Sequence, residues 1–175
     1  MNNAMQFLLT TLVELYSIVV ILRLWMQAVR ADYYNPLSQF VVKATEPVVG
    51  PLRKVIPSRG RIDLACLLLA VALGMLKIGA LVWLNDIPVN PLVIVVQGLL
   101  STVSAFLTTL FWILIIRALL SWFSQGYNPM EAMLYQLTEP FLAPVRRIIP
   151  PLGGLDLSVL IVIIVIQFLR ILIGV

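Results

Sequence analysis

Four long apolar segments restrict the fold of this chain more than any other feature. They run over about 5–29, 64–84, 92–123 and 157–175. A helix needs about 20 apolar residues to cross the hydrocarbon core of a bilayer, and each segment approaches or exceeds that length. The chain is 61% hydrophobic and 11% charged, whereas a soluble domain carries about 25% charged residues. The sequence therefore predicts an all-α integral membrane protein with four transmembrane helices.

The distribution of charge predicts how these segments are oriented. Six basic residues lie in the first long loop and two lie in the second. They are Arg30, Lys43, Arg53, Lys54, Arg59, Arg61, Arg146 and Arg147. The short loop between the second and third segments has Asp86 and no base. The positive-inside rule then places both long loops in the cytoplasm and both termini outside.

The residue inventory argues against an enzyme. The sequence has no histidine, and Cys66 is its single cysteine, which excludes a Cys/His metal site and a histidine general base. It has no glycine-rich phosphate loop and no nucleophile–base set. We therefore expect no enzymatic activity, no metal and no cofactor. The net charge is +4, and the basic residues that produce it cluster beside the apolar segments. This position indicates contact with lipid rather than with nucleic acid.

Each long loop contains an amphipathic segment punctuated by prolines, at 35–63 and 128–156. Each begins with Asn-Pro, which is typical of a helix start. Each then reaches Thr-Glu-Pro, where the helix is predicted to end. The predicted apolar faces are Leu37, Phe40, Val41 and Ala44 in the first segment and Met130, Met133, Leu134 and Leu137 in the second. We expect both helices to lie on the membrane surface.

A pair of bases follows each of these helices. The pairs are Arg53-Lys54 and Arg146-Arg147. Their apolar neighbours can enter the membrane interface while the charges stay at headgroup level. All four bases are predicted to bind anionic lipid headgroups and partner proteins.

The two amphipathic segments are copies of one another. Comparing 34–63 with the residues 93 positions further on gives 30 aligned pairs, of which 12 are identical. The same offset pairs Lys77 with Arg170, and one gap pairs Arg23 with Arg117. We therefore predict two parallel repeats, 1–91 and 92–175, each built as helix, amphipathic re-entry or interfacial segment, and helix. Such repeats are related by a pseudo-two-fold axis along the membrane normal.

The doubled motif resembles the YggT family, which is called YlmG in Gram-positive bacteria and plastids. The resemblance rests on an intramembrane arginine, Asn-Pro, Thr-Glu-Pro, the basic pair before Ile-Pro, and then Gly and Asp. It covers nearly the whole chain. The stretches ELYSIVVILRLWMQ and DYYNPLSQFVVKATEPVVGPLRKVIP are close to the enterobacterial pattern, and the two-copy form is similar to the proteobacterial branch.

The resemblance implies a multi-pass protein of the bacterial inner membrane, and the charge distribution then places both termini in the periplasm. It also implies a role among those linked to the family, namely osmotic stress or ion uptake, cell division and nucleoid distribution, or cytochrome assembly in plastids. The family supplies no catalytic residues to carry over.

Two intramembrane arginines are candidates for ion pairs. Arg23 and Arg117 each lie about 10 Å inside the cytoplasmic end of a helix, at 1.5 Å per residue. Either their guanidinium groups snorkel to the headgroups, or each pairs with an acid of the amphipathic segment that follows it. The candidate acids are Glu46 and Asp63 for the first arginine and Glu139 and Asp156 for the second. The two aspartates are equally well interpreted as helix N-caps.

Glu14 and Lys77 are predicted to lie at one depth in the membrane. Three interpretations of Glu14 stay open: a structural bridge to Lys77, a carboxylate that handles protons or cations, and exposure at the interface. Arg170 lacks a matching acid in the second repeat, so it either snorkels or reaches Glu14. A stripe of small residues, Ser101, Ser104, Ala105 and Thr108, indicates close helix packing more often than a pore.

Two functions follow from these features. The first is a non-enzymatic scaffold, assembly factor or stress-response factor that binds anionic lipid and other membrane or division proteins. The alternative is a small oligomeric ion channel or transporter in osmotic or potassium homeostasis, with Glu14 and the polar stripe lining its path. Both are compatible with a homo-oligomer.

Overall fold

A computed structural model describes residues 3–56, 62–123, 128–149 and 156–174. Within these ranges the chain forms six helices and no strand. In chain order they are α1 (Asn3–Val29), α2 (Pro36–Val55), α3 (Leu64–Leu84), α4 (Pro91–Phe123), α5 (Pro129–Ile148) and α6 (Leu157–Ile173). The all-helical fold class is therefore confirmed.

Three of these helices are long and apolar enough to cross a membrane. They are Asn3–Val29, Leu64–Leu84 and the Pro91–Leu120 part of α4. The fourth predicted span corresponds to α6, which is apolar but only 17 residues long. Helix α4 is continuous over 33 residues.

Helices α2 and α5 continue through prolines at which they were predicted to end. The prediction that Thr-Glu-Pro terminates each helix is wrong, because α2 contains Pro47 and Pro51 and α5 contains Pro140 and Pro144. A proline removes the amide that would bond to the carbonyl four residues earlier. All four prolines lie on exposed faces, so the freed carbonyls open away from the core, and the buried face stays regular.

In each of these two helices, only some residues of the predicted apolar face are buried. In α2, Val41 is buried against other helices, whereas Phe40 is 63% exposed. The buried face of α2 consists of Ser38, Val41, Thr45 and Val49. In α5, the predicted Met133, Leu134 and Leu137 are buried and Met130 is exposed. This buried face contains two polar and two apolar residues, so a count of apolar residues alone does not predict the rotation of α2.

Both amphipathic helices lie at the same end of the long helices. Helix α2 connects the end of α1 to the start of α3, and α5 connects the end of α4 to the start of α6. Helix α5 also contacts α1 and α2. Three aromatic rings join the two halves near this end: Trp25 of α1 lies 5.0 Å from Phe106 of α4 and 5.6 Å from Phe141 of α5, between ring centroids.

Helices α3 and α4 pack closely against each other at two glycines. A Cβ atom on Gly74 would lie 2.4 Å from the Gly98 carbonyl oxygen, and one on Gly98 would lie 2.8 Å from the Cα of Met75. Thr102 donates to the Gly98 carbonyl at 2.9 Å and to the Ala70 carbonyl at 3.3 Å. Small residues therefore permit backbone contact between these spans.

Candidate functional site

The buried side chain of Arg23 fixes α2 against α1. Arg23 is 3% exposed. Its Nη1 donates to Thr45 Oγ1 at 2.8 Å and to the Val42 carbonyl at 3.3 Å, and its Nη2 donates to Glu46 Oε2 at 2.6 Å. Of the two acids predicted as partners, Arg23 contacts Glu46 and not Asp63.

Asp63 is fully buried and acts both as a cap and as an ion-pair partner. Its Oδ1 accepts from the amides of Ala65 and Cys66 at 3.1 and 3.3 Å. Its Oδ2 accepts from Arg53 Nε at 2.9 Å and also from Nη2. Burial opposes ionisation, but the bonds from Arg53 and Cys66 outweigh it and hold the pKa of Asp63 below its ordinary value.

Arg117 occupies the corresponding position in the second half but has different partners. Its Nη1 donates to Thr138 Oγ1, and its guanidinium carbon lies 4.6 Å from the ring centroid of Tyr135. Its Nη2 is 3.9 Å from Glu139 Oε2, which is too long for a hydrogen bond. The charge of Arg117 is therefore shared among a hydroxyl, an aromatic face and a distant carboxylate.

Arg146 contacts both of the acids, Glu139 and Asp156, that were predicted as partners of Arg117. Its Nη1 lies 3.0 Å from Glu139 Oε2, and its Nε donates to Asp156 Oδ2 at 3.0 Å. Asp156 caps α6 by accepting from the Ser158 amide at 3.1 Å. Burial raises the pKa of Asp156, but the hydrogen bonds from Arg146 and Ser158 reverse that effect and leave the pKa lowered.

The four predicted bases divide into two kinds. Arg53 and Arg146 are directed at the aspartates, with side chains 33% and 26% exposed. Lys54 and Arg147 are exposed. Sequence reasoning gave all four the same role in binding lipid or partners, and the structure gives the first base of each pair an internal contact, because it is on the helix face that points at the next N-cap.

The contacts of Arg23, Arg53, Arg117 and Arg146 with their acids form two arginine networks, one in each half. Several further residues of these networks were not predicted from the sequence. Thr45 and Thr138 accept hydrogen bonds from the two arginines, Gln27 Oε1 contacts Arg53 Nη2 at 3.3 Å, and Tyr135 lies beneath Arg117. The repeat contains a signal for the threonines, since both are identical in the two copies and precede the glutamates. Gln27 and Tyr135 have no such signal, because neither residue is repeated at the equivalent position of the other copy.

Comparison with known proteins identifies the family. The CCB3/YggT family matches residues 2–84 and 96–175. The chain belongs to this family. It is 55% identical over 174 residues to a Vibrio alginolyticus protein named for the proC 3' region, covering 98% of this chain and 94% of that one. It is 44% identical over 168 residues to YggT of Escherichia coli strain K12, covering 96% and 88%. The predicted YggT resemblance is confirmed.

A more distant relative is found in a plant. YlmG homolog protein 2, chloroplastic, from Arabidopsis thaliana is 38% identical over 65 residues, which cover 37% of this chain and 24% of that one. No solved structure shows a significant match. The names of these relatives thus support membership of the YggT family and do not state an activity.

In this YggT-family chain, Glu14 and Lys77 form an ion pair. Lys77 Nζ lies 2.5 Å from Glu14 Oε1, with side chains 24% and 51% exposed. The pair connects α1 to α3. Of the three interpretations of Glu14, the bridge to Lys77 is the one that corresponds to a contact, and whether Glu14 has a further role stays a prediction.

Direct hydrogen bonds join the two halves beside the arginine networks. Asn35 Nδ2 donates to the Pro129 carbonyl at 2.6 Å, the Asp32 amide donates to Gln136 Oε1 at 3.1 Å, and Ser38 Oγ lies 3.3 Å from Met133 Sδ. Asn35 also caps its own helix by accepting from the Leu37 amide at 3.0 Å. The start of α2 is therefore held by the start of α5.

An apolar cleft of about 870 Å³ lies between α1 and α5. Its floor includes Trp25, Phe106 and Phe141, and its polar lining residues include Arg30 and Glu139. Pockets of this size with apolar walls and few polar groups suit amphiphilic ligands. The cleft places a basic side chain beside a large apolar surface at the junction of the two halves.

Proposed function

We propose that this protein is a non-enzymatic membrane scaffold whose two amphipathic helices present basic tips to anionic lipid and to partner proteins. The outer tips, defined as Lys54-Val55 and Arg147-Ile148, carry the proposal. Val55 is 79% exposed and Ile148 is 81% exposed, and both neighbouring bases are exposed. An exposed base beside an exposed aliphatic side chain suits the headgroup region of a bilayer.

The ion pairs support this function because they fix the outer tips. Arg53 and Arg146, each next to a tip, are bound to the aspartates that cap the following helices. A tip held in this way loses little conformational freedom when a ligand binds, which favours affinity. The inner base of each pair positions the tip, and the outer base is left for the ligand.

The proposal includes the four-span, two-repeat architecture in the bacterial inner membrane. Helices α2 and α5 have equal lengths of 20 residues and the same Asn cap, and the family match falls into two stretches. Helix α6 is about 25 Å long at 1.5 Å per residue, and a bilayer adapts to a span slightly shorter than its core. In this arrangement both tips face the cytoplasm and both termini face the periplasm.

Single cysteines test this orientation. Val55→Cys and Ile148→Cys, each in a Cys66→Ser background, are exposed to a membrane-impermeant maleimide in intact spheroplasts and in inverted vesicles. We expect labelling in inverted vesicles only. Labelling of either position in spheroplasts would overturn the proposed orientation.

Lipid binding is tested on the full-length protein in nanodiscs that contain a mixture of zwitterionic and anionic phospholipid. Native mass spectrometry measures how many anionic lipids stay bound. Since a base near the membrane surface contributes about 1 kcal/mol, we expect Lys54→Gln to weaken retention roughly fivefold. The matched control is Lys43→Gln, which removes an exposed base from the same helix but outside the tip. Equal retention in both variants would contradict the proposal.

Partner binding is tested with a photo-crosslinking residue at Val55 or Ile148 in growing cells. We expect discrete protein adducts that decrease when Lys54 and Arg147 are both replaced by glutamine. A crosslinker at Leu12, which is exposed on α1, reports non-specific contacts. The same adducts from all three positions, or none from the tips, would count against a scaffold.

A further inference from the structure

A second cavity, of about 200 Å³, lies among the long helices α1, α3, α4 and α6. Its lining is polar for an apolar bundle. The polar lining residues are Glu14, Ser17, Lys77, Ser101, Thr102, Ser104, Thr108 and Arg170. Apart from the Glu14–Lys77 pair, none of these residues belongs to the site described above, and none belongs to the outer tips of the proposed function.

The cavity carries more positive than negative charge. Lys77 and Arg170 are its two cations, and Glu14 is the single acid in its lining, so the ionised side chains sum to +1. Lys77 is paired with Glu14 at 2.5 Å. The Nε of Arg170 is buried and has no hydrogen-bond partner among the residues that the structure describes. Lys77 therefore has a carboxylate partner, whereas no carboxylate of the described residues lies within ion-pair distance of Arg170.

The excess of charge has its origin in the repeat. Lys77 and Arg170 are separated by the repeat offset of 93 residues, so each half supplies one cation. Only the first half supplies an acid, because Thr108 lies near the position that corresponds to Glu14. The second half thus keeps the cation and replaces the carboxylate with a hydroxyl that lines the same cavity.

An unbalanced cation in an apolar environment is costly unless another charge or a set of dipoles compensates it. The hydroxyls of Ser101, Ser104 and Thr108 line the cavity and form no hydrogen bond to the described part of the chain. They can therefore donate to a bound group, as the guanidinium of Arg170 can. Several donors that converge with one surplus positive charge are suited to an anion.

We propose that this cavity binds a small monovalent anion of the halide class, such as chloride, between Arg170 and the α4 hydroxyls. A single negative charge would cancel the surplus of +1. The volume of about 200 Å³ leaves room for a small ion with a few water molecules, each of which needs about 30 Å³. Because Glu14 is already occupied by Lys77, the same cavity offers no free carboxylate to a metal cation.

The test uses the purified full-length protein in detergent with chloride exchanged for gluconate at constant ionic strength and constant sodium. We expect wild-type Tm to rise with the logarithm of the chloride concentration above Kd, with a gain of about 3 °C at a concentration tenfold above Kd. Chloride-35 NMR line broadening that bromide competes away provides a second measurement without any variant. Arg170→Gln is expected to remove both effects.

Two milder variants and one control keep this test decisive. Thr108→Val and Ser104→Ala retain all charges and are expected to weaken chloride binding severalfold. Arg147→Gln removes a base at an outer tip and is expected to leave the chloride response unchanged, which separates specific binding from general salt effects. A Tm that is equal in chloride and gluconate would overturn the proposal. So would a response that follows sodium or potassium, or one that persists in Arg170→Gln.

Discussion

At the scale of single residues, the two intramembrane arginines show how equivalent positions acquire different environments. Arg23 is 3% exposed and lies 2.6 Å from Glu46, whereas Arg117 is 11% exposed and lies 3.9 Å from Glu139. In the second half Arg146 takes the glutamate, and Arg117 is left with Thr138 and the ring of Tyr135. The stability of the first half therefore depends more strongly on one ion pair.

We expect Arg23→Lys to lower the free energy of unfolding by about 2–3 kcal/mol. An ammonium group cannot reach Thr45, Glu46 and the Val42 carbonyl at the same time, as the planar guanidinium does. Arg117→Lys is expected to cost about 1 kcal/mol, since its carboxylate contact is already long and an ammonium can keep the contact with Tyr135. Denaturation in detergent micelles measures both. A larger loss for Arg117→Lys would contradict this ranking.

The aspartate caps predict a dependence of stability on pH. The pKa of Asp63 is lower in the folded protein than in the unfolded chain, where an aspartate has a pKa of about 3.9. The stabilisation is therefore fully present above about pH 4 and is lost as the pH falls through the lower folded pKa. Asp63→Asn should flatten the acid limb of a stability profile measured from pH 7 to pH 2. Asp86→Asn, at an exposed residue, should leave the limb unchanged.

The sequence could predict the residue types of these networks but not their pairing. The repeat marks Arg23, Arg117 and the acids of both segments, and all of these residues lie in the two networks. The choice between Glu46 and Asp63 as the partner of Arg23 depends on the rotation of α2 about its own axis. That rotation is set by the packing of Val41 and Val49 and by Arg53, and it has no local sequence signal.

At the scale of elements, length and apolar composition predicted α3 to the residue and α1 and α4 to within two residues at each end. The ends of α2 and α5 were mispredicted because a proline on an exposed helix face does not disrupt the buried contacts. Thr45 and Val49, on the opposite face from Pro47, stay packed. Tertiary contacts thus carry α2 past two residues that would end an isolated helix.

The contact of α3 with α4 gives a prediction with a control in the same helix. Gly74→Ala would place a Cβ atom 2.4 Å from the Gly98 carbonyl oxygen, so the two spans must separate. We expect a loss of about 1–3 kcal/mol, as for other overpacked sites. Gly79→Ala meets no atom within 4 Å and should be neutral or slightly stabilising, since alanine favours helix. SDS-induced unfolding of the reconstituted protein compares them. Equal stability of the two variants would contradict close backbone packing as the role of Gly74.

At the scale of the whole molecule, the two halves share one core. Helix α1 contacts α4 and α5 as well as its own neighbours, and Trp25 packs with Phe106 and Phe141. The sequence repeat predicted what each half contains but not which surfaces meet. Sequence identity between the copies shows which positions are equivalent in the two halves. It does not show that Trp25 of the first half contacts Phe141 of the second. The hydrogen bond from Asn35 to Pro129 likewise joins residues that the repeat marks only as separate helix starts.

A shared core predicts that the halves assemble when they are expressed as separate chains. We expect tagged 1–91 to retain untagged 92–175 through affinity purification in mild detergent, because α3–α4 packing and the aromatic cluster do not require the 85–90 loop. Trp25→Ala removes a side chain that is 4% exposed and should cost about 3–5 kcal/mol, enough to lose most of the retained partner. Trp83→Ala, at a residue that is 76% exposed, should retain it. If both variants retained the partner equally, the aromatic cluster would not be the contact that holds the halves together.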